Sequence, residues 1–68
     1  MSIEEAIQSI AKSETLTGFN AKMVVDNPKQ LKAFVTMIKD QYGRDGNKDN
    51  LIENYGEEEI TTIINYNF

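Results

Sequence analysis

A chain of 68 residues has room for one domain, and a domain this short buries only about 60% of the surface its unfolded chain exposes. With no Cys and no His, disulfides and the usual zinc sets cannot reinforce it, while 40% apolar and 26% charged residues match ordinary globular usage and exclude wholesale disorder. The net charge of −4 divides unevenly: residues 12–48 hold all seven cations against four carboxylates, residues 1–11 carry only Glu4 and Glu5, and residues 49–68 carry five carboxylates and no cation.

The opening residues, Met1 to Glu5, lack the basic and apolar stretches of a secretory leader, and no run approaches the ~20 apolar residues of a membrane span, so a cytoplasmic location is expected. Ser2 followed by Glu5 has the form of a capping box, in which each side chain satisfies a backbone N–H at a helix start. Ile3, Ala6, Ile7, Ile10 and Ala11 continue at helical spacing and predict a helix through about Ser13. From 16 to 25 the period changes to two, with Phe19, Ala21, Met23 and Val25 alternating with Asn20, Lys22 and Val24, which predicts a strand with one face in the core. Asp26-Asn27-Pro28 ends it, with Asn27 as helix N-cap and Pro28 suited to the first turn.

Residues 28–42 predict the clearest helix, with Leu31, Phe34, Val35, Ile38 and Tyr42 in one sector. Gly43 is expected as its left-handed cap. Residues 43–50 are turn formers and predict a loop; Leu51, Ile52 and Tyr55 fit either a helical turn or a short strand. Residues 60–68 are rich in β-branched and aromatic side chains and predict a strand, although Ile60, Ile63 and Ile64 also fit a helix face. The expected fold is therefore a small α+β single domain spanning 1–68. Its order is α-β-α-β, or α-β-α-β-β, with helices on one face of a small, mainly antiparallel sheet.

Without His or Cys, the commonest general base, the thiol nucleophile and most metal sites are missing, so no catalytic residue, cofactor or metal is expected. Glu53, Glu57, Glu58 and Glu59 could in principle work as paired carboxylates, but adjacent glutamates point into water rather than into a desolvated cleft. The four glycines are dispersed and form no phosphate-binding loop. Residues 45–53 partly match a calcium loop, with oxygen side chains at alternate positions. They lack the glycine for its sharp turn, and Gly56 stands where a bidentate Glu should close it, so a polar surface turn is the simpler reading.

Three surfaces remain. Lys29, Lys32 and Lys39 align on the central helix and could meet phosphates, although the pI near 4.6 is far from that of a nucleic-acid binder. The acidic segment, with Asp49, Glu53, Glu57, Glu58 and Glu59 beside Tyr55, reads either as a solubilising flank for an aggregation-prone strand or as a surface for a basic partner. The C-terminal strand reads either as core or as an edge through which two copies could pair. The preferred function is a non-catalytic interaction protein, an inhibitor or modulator of a larger, possibly nucleic-acid-handling protein with a basic surface, bound through Asp49, Glu53, Tyr55, Glu57, Glu58 and Glu59. The alternative is a small, dimeric nucleic-acid regulator using Lys29, Lys32 and Lys39. In composition the chain resembles small, acidic, cysteine-free inhibitors encoded by bacteriophages, which would place it in a host cytoplasm; the resemblance rests on no motif.

Overall fold

In the computed structural model, which describes residues 1–16 and 18–67, every regular element is a helix. Ser2 opens the first, α1 (Ile3–Ser13): its hydroxyl accepts from the Glu5 N–H at 3.1 Å, and the Glu5 carboxylate accepts from the Ser2 N–H at 3.3 Å. This is the expected capping box. The Ser2 N–H, with the Ser2 hydroxyl beside it, holds the Glu5 carboxyl below its ordinary range, because both favour the charged form. Helix α1 ends when the Leu16 N–H reaches back to the Ala11 carbonyl and the Thr15 N–H to that of Lys12, both at 3.1 Å. That pair of bonds is a Schellman closure. Its left-handed position, usually glycine, is taken by Thr15 at φ 54°.

The strand expected over 16–25 is replaced by a connection and a short helix, α2 (Ala21–Val25). The Asn20 side chain accepts from the Lys22 N–H at 3.0 Å, and Gln8 on α1 accepts from the Ala21 N–H at 3.1 Å, so two of the free amides of this helix start are satisfied. Burial follows helical rather than alternating spacing: Ala21 is buried, Val24 and Val25 are half-buried, and Met23 points outward. A run this short fits both periods, and the local caps decide between them.

Helix α3 (Pro28–Tyr42) matches expectation at its start, where Asn27 accepts from the Lys29 and Gln30 N–H groups, and along its buried face of Leu31, Val35 and Ile38. Its end differs. Gly43 sits at φ −77°, ψ −10°, in the right-handed region, so the left-handed turn falls later, at Gly46 with φ 80°. The expected loop thereby shortens, because α4 (Asn47–Tyr55) begins immediately after Gly46. Helical winding over 47–53 also removes the extended loop in which alternate oxygens could converge on calcium.

The expected C-terminal strand is likewise a helix, α5 (Glu57–Ile64). Ile60 and Ile63 are fully buried and Ile64 half-buried, the i, i+3, i+4 set of a helix face. The Thr62 hydroxyl donates to the Glu58 carbonyl at 2.8 Å, one turn back, a bond open to a β-branched Thr within its own helix. With no strand among the described residues, the fold is all-helical rather than α+β, and the proposed pairing of copies through a C-terminal edge loses its element. Phe68, the last residue of that expected strand, lies outside the described residues, as does Thr17.

Helix α5 is the centre of the arrangement and packs on α1, α3 and α4, while α2 bridges α1 and α3 on another side. The backbones of α1 and α3 do not approach each other closely; α2, α4 and α5 each pack on both. The buried cluster joins Ala6, Ile7 and Ile10 of α1 to Ala21, Leu31, Val35, Ile38, Leu51, Ile60 and Ile63. All of these are aliphatic; Phe19, Phe34, Tyr42, Tyr55 and Tyr66 pack around its margin and stay half-exposed.

Two glycines test the chain path. Gly56 joins α4 to α5 at φ 104°, ψ 145°, a region open essentially to glycine alone, and the Glu59 side chain fills the space where a Cβ would stand. Gly56→Ala should therefore cost about 1–3 kcal/mol. Gly43→Ala should be neutral or stabilise by up to about 1 kcal/mol, because its backbone is already helical and the new methyl meets only ordinary contacts. Urea denaturation of both variants separates this path from one with a left-handed Gly43.

Candidate functional site: an acidic corner and an apolar cleft

Asp49 and Glu53 stand one turn apart on α4 and are exposed, on the side away from buried Leu51. Beyond the Gly56 turn, Glu57 and Glu58 are exposed in the first turn of α5, where the helix dipole favours carboxylates. Glu58 also lies 3.8 Å from the amino group of Met1. Glu59 differs, being half-buried with its side chain folded back over Gly56. The acidic segment thus divides into four outward carboxylates and one that shields a helix start. Residues 49–67 contain no Lys or Arg, and among the described residues no side-chain cation pairs with these carboxylates.

Tyr55 turns away from the corner. Its hydroxyl donates to the Glu14 carboxylate at the end of α1, a contact between residues far apart in sequence. That acceptor, together with partial burial and the carboxylate charge, pushes the phenol above its ordinary pKa, because each disfavours the phenolate. The Tyr55 ring forms one wall of a cleft of about 270 Å³ that occupies the gap between α1 and α3. Ile10 and Ala11 line it from α1, Phe34 and Met37 from α3, and Leu16 and Phe19 from the α1–α2 connection. Leu16 and Met37 are 54% and 48% exposed, so the apolar wall reaches water.

The cleft was not predicted from the sequence. Its lining comes from four separate segments, and the alternation over 16–25 puts Phe19 on a core-facing strand rather than on a cleft wall. The available signal was the number of aromatics: a small aliphatic core cannot enclose them all, so some must lie at its margin.

The three lysines separate in the structure. Lys29 and Lys32 are exposed beside Thr36 along an open depression on α3, with Asp40 in the same wall. Lys39 is half-buried, and its ammonium donates to the Tyr66 carbonyl at 3.0 Å, tying the segment after α5 to α3. Lys48 stands 5.8 Å from the centre of the Tyr42 ring, within cation–π range. Among the described residues no group of three acidic side chains could hold a metal ion, and no helix is long and apolar enough to cross a membrane. Comparison with protein-family models, with curated proteins and with solved structures finds no match.

The Tyr55–Glu14 contact gives a pH-dependent prediction. A phenol whose pKa is raised by folding contributes stability that is complete below its unfolded value, about 10, and is lost as the pH rises through the higher folded value. Tyr55→Phe should destabilise by about 0.5–1 kcal/mol at neutral pH, the scale of one solvent-accessible hydrogen bond. The gap from the parent protein should close in alkali. Denaturation at neutral and alkaline pH, with phenolate absorbance followed in the parent, measures both.

Proposed function

We infer that this chain is a non-catalytic interaction module that binds a larger protein carrying a basic surface, through Asp49, Glu53, Glu57 and Glu58. The observation that supports this most is the exposure of four carboxylates on α4 and at the start of α5 with no side-chain cation pairing with them among the described residues. Charge so arranged steers a basic partner to one part of the surface and disfavours acidic ones. Glu59, folded back over Gly56, contributes charge but not contact, and Tyr55, turned to Glu14 and the cleft, is left out of the contact set. The role of inhibitor or modulator, and the host-cytoplasmic setting suggested by the composition, belong to the same reading.

The nucleic-acid reading has less support. Lys39 is directed to Tyr66 and Asp40 shares the depression with Lys29 and Lys32, which leaves two outward lysines near a carboxylate. Phosphate affinity grows with the number of neutralised phosphates, and two are few.

Affinity capture from the native host, with and without nuclease, tests the choice. A protein partner should survive nuclease treatment. Reversing Asp49, Glu53, Glu57 and Glu58 to Lys should weaken its binding by roughly fourfold to several-hundredfold, from about 0.2–1 kcal/mol for each of the exposed pairs lost. Loss of the partner on nuclease treatment, or unchanged binding by the charge-reversed chain, would overturn the proposal.

A further inference from the structure

Among the described residues four large apolar side chains stand exposed: Leu16 and Met37 border the cleft, Met23, at 69% the most exposed of the four, lies on α2, and Met1 is the fourth. Helix α2 begins two residues after Phe19, which lines the cleft. Lys22 lies beside Met23 in the chain and is also exposed. Glu14 is the only Asp, Glu, Lys or Arg among the residues lining the cleft. Its carboxylate accepts the Tyr55 hydroxyl with one oxygen, and among the described residues neither Glu14 nor Lys22 has an ion-pair partner. The chain thus exposes an apolar cleft with a carboxylate at its border and, nearby, an apolar side chain with a cation beside it.

We propose that the cleft receives Met23 of a second copy of this chain, with Lys22 of that copy beside Glu14, in a two-fold pair in which each chain both gives and accepts the contact. Closed symmetry requires the donating and accepting parts to share one patch, a condition the short chain distance from Phe19, which lines the cleft, to Met23 on α2 allows. The volume is consistent with that occupant. At about 270 Å³ the cleft is smaller than the ~300–1,000 Å³ typical of ligand and cofactor pockets, yet ample for one long side chain. Methionine, unbranched and polarisable, adapts to an irregular wall of aromatic and aliphatic groups. The net charge of −4 opposes association, so the apolar contact must drive it and the Lys22–Glu14 pairs must set its register. This surface is separate from the acidic corner, and neither proposal depends on the other.

Sedimentation equilibrium over a wide concentration range tests the pairing. The parent chain should show a reversible monomer–dimer equilibrium. Met23→Glu, Glu14→Lys and Lys22→Glu should each weaken it at least tenfold, since every contact occurs twice in the pair. The decisive arm mixes the Glu14→Lys and Lys22→Glu variants. In the mixed pair both charge contacts are between opposite charges, so two chains that associate poorly alone should dimerise together to near the parent's extent. A misfolded variant would not be rescued in this way. A parent chain that stays monomeric, a dimer indifferent to these substitutions, or a mixture that fails to associate would each overturn the proposal. So would a monomeric parent whose Leu16 and Met37 resonances shift only on adding a basic apolar peptide, which would make the occupant a different protein.

Discussion

The fold depends on burial of Ile60 and Ile63 between α1 and α3. Helix α5 has eight residues, below the ~12–15 at which an isolated helix is even marginal in water, so packing must hold it in shape. The side chains clustered there, Ile7, Val35, Ile60 and Ile63, are the largest fully buried ones among the described residues and come from α1, α3 and α5. Full burial of one such side chain is worth about 1.5–3 kcal/mol before the entropy of ordering the chain is subtracted, which is comparable to the whole net stability of a domain this short. Because the backbones of α1 and α3 stay apart, the three helices that pack on both, α2, α4 and α5, determine their spacing. The cleft is where that spacing is left unfilled.

The same constraint explains which elements were legible in the sequence. Helices α1 and α3 are long enough to show several turns of apolar periodicity, and each begins at a side-chain cap, Ser2 with Glu5 in one and Asn27 before Pro28 in the other. Their starts and buried faces follow from local chemistry. Residues 21–25 and 57–64 give one or two turns each, where alternation and helical spacing overlap. At 60–64 the β-branched composition favours a strand, and tertiary burial of Ile60 and Ile63 overrides that preference. Two local signals pointed the other way: Asn20 stands where an N-cap would, and three glutamates occupy the first turn of α5.

Glycine positions were legible as turns but not in their assignment. Gly43 follows the last apolar residue of a long helix, the usual place for a left-handed cap, yet its backbone stays right-handed. The left-handed position falls at Gly46, because α4 starts there and its Leu51 must reach the buried cluster. At the end of α1 the opposite occurs: a left-handed closure is needed and Thr15 adopts it, at a cost of about 1–2 kcal/mol for a residue with a Cβ. This closure directs Leu16 to the rim of the cleft. The composition locates the acidic residues along the chain, but not the orientation of their side chains. Glu59 covers Gly56, Tyr55 crosses to Glu14, and Lys39 bonds to Tyr66. Each orientation depends on a neighbour contributed by the fold.

An all-aliphatic centre this small leaves the described aromatic side chains at the boundary between core and water. Phe19, Phe34 and Tyr55 are held by the core on one side and line the cleft on the other. A molecule that binds there completes their burial, and ligand that binds only the folded state adds to stability in proportion to the logarithm of its concentration. With so small a margin from its own packing, occupancy of the cleft and persistence of the fold are linked. Tyr55 is the residue through which that link runs, since its ring lines the cleft, its hydroxyl joins α4 to the end of α1, and its backbone leads directly into the Gly56 turn and the acidic start of α5.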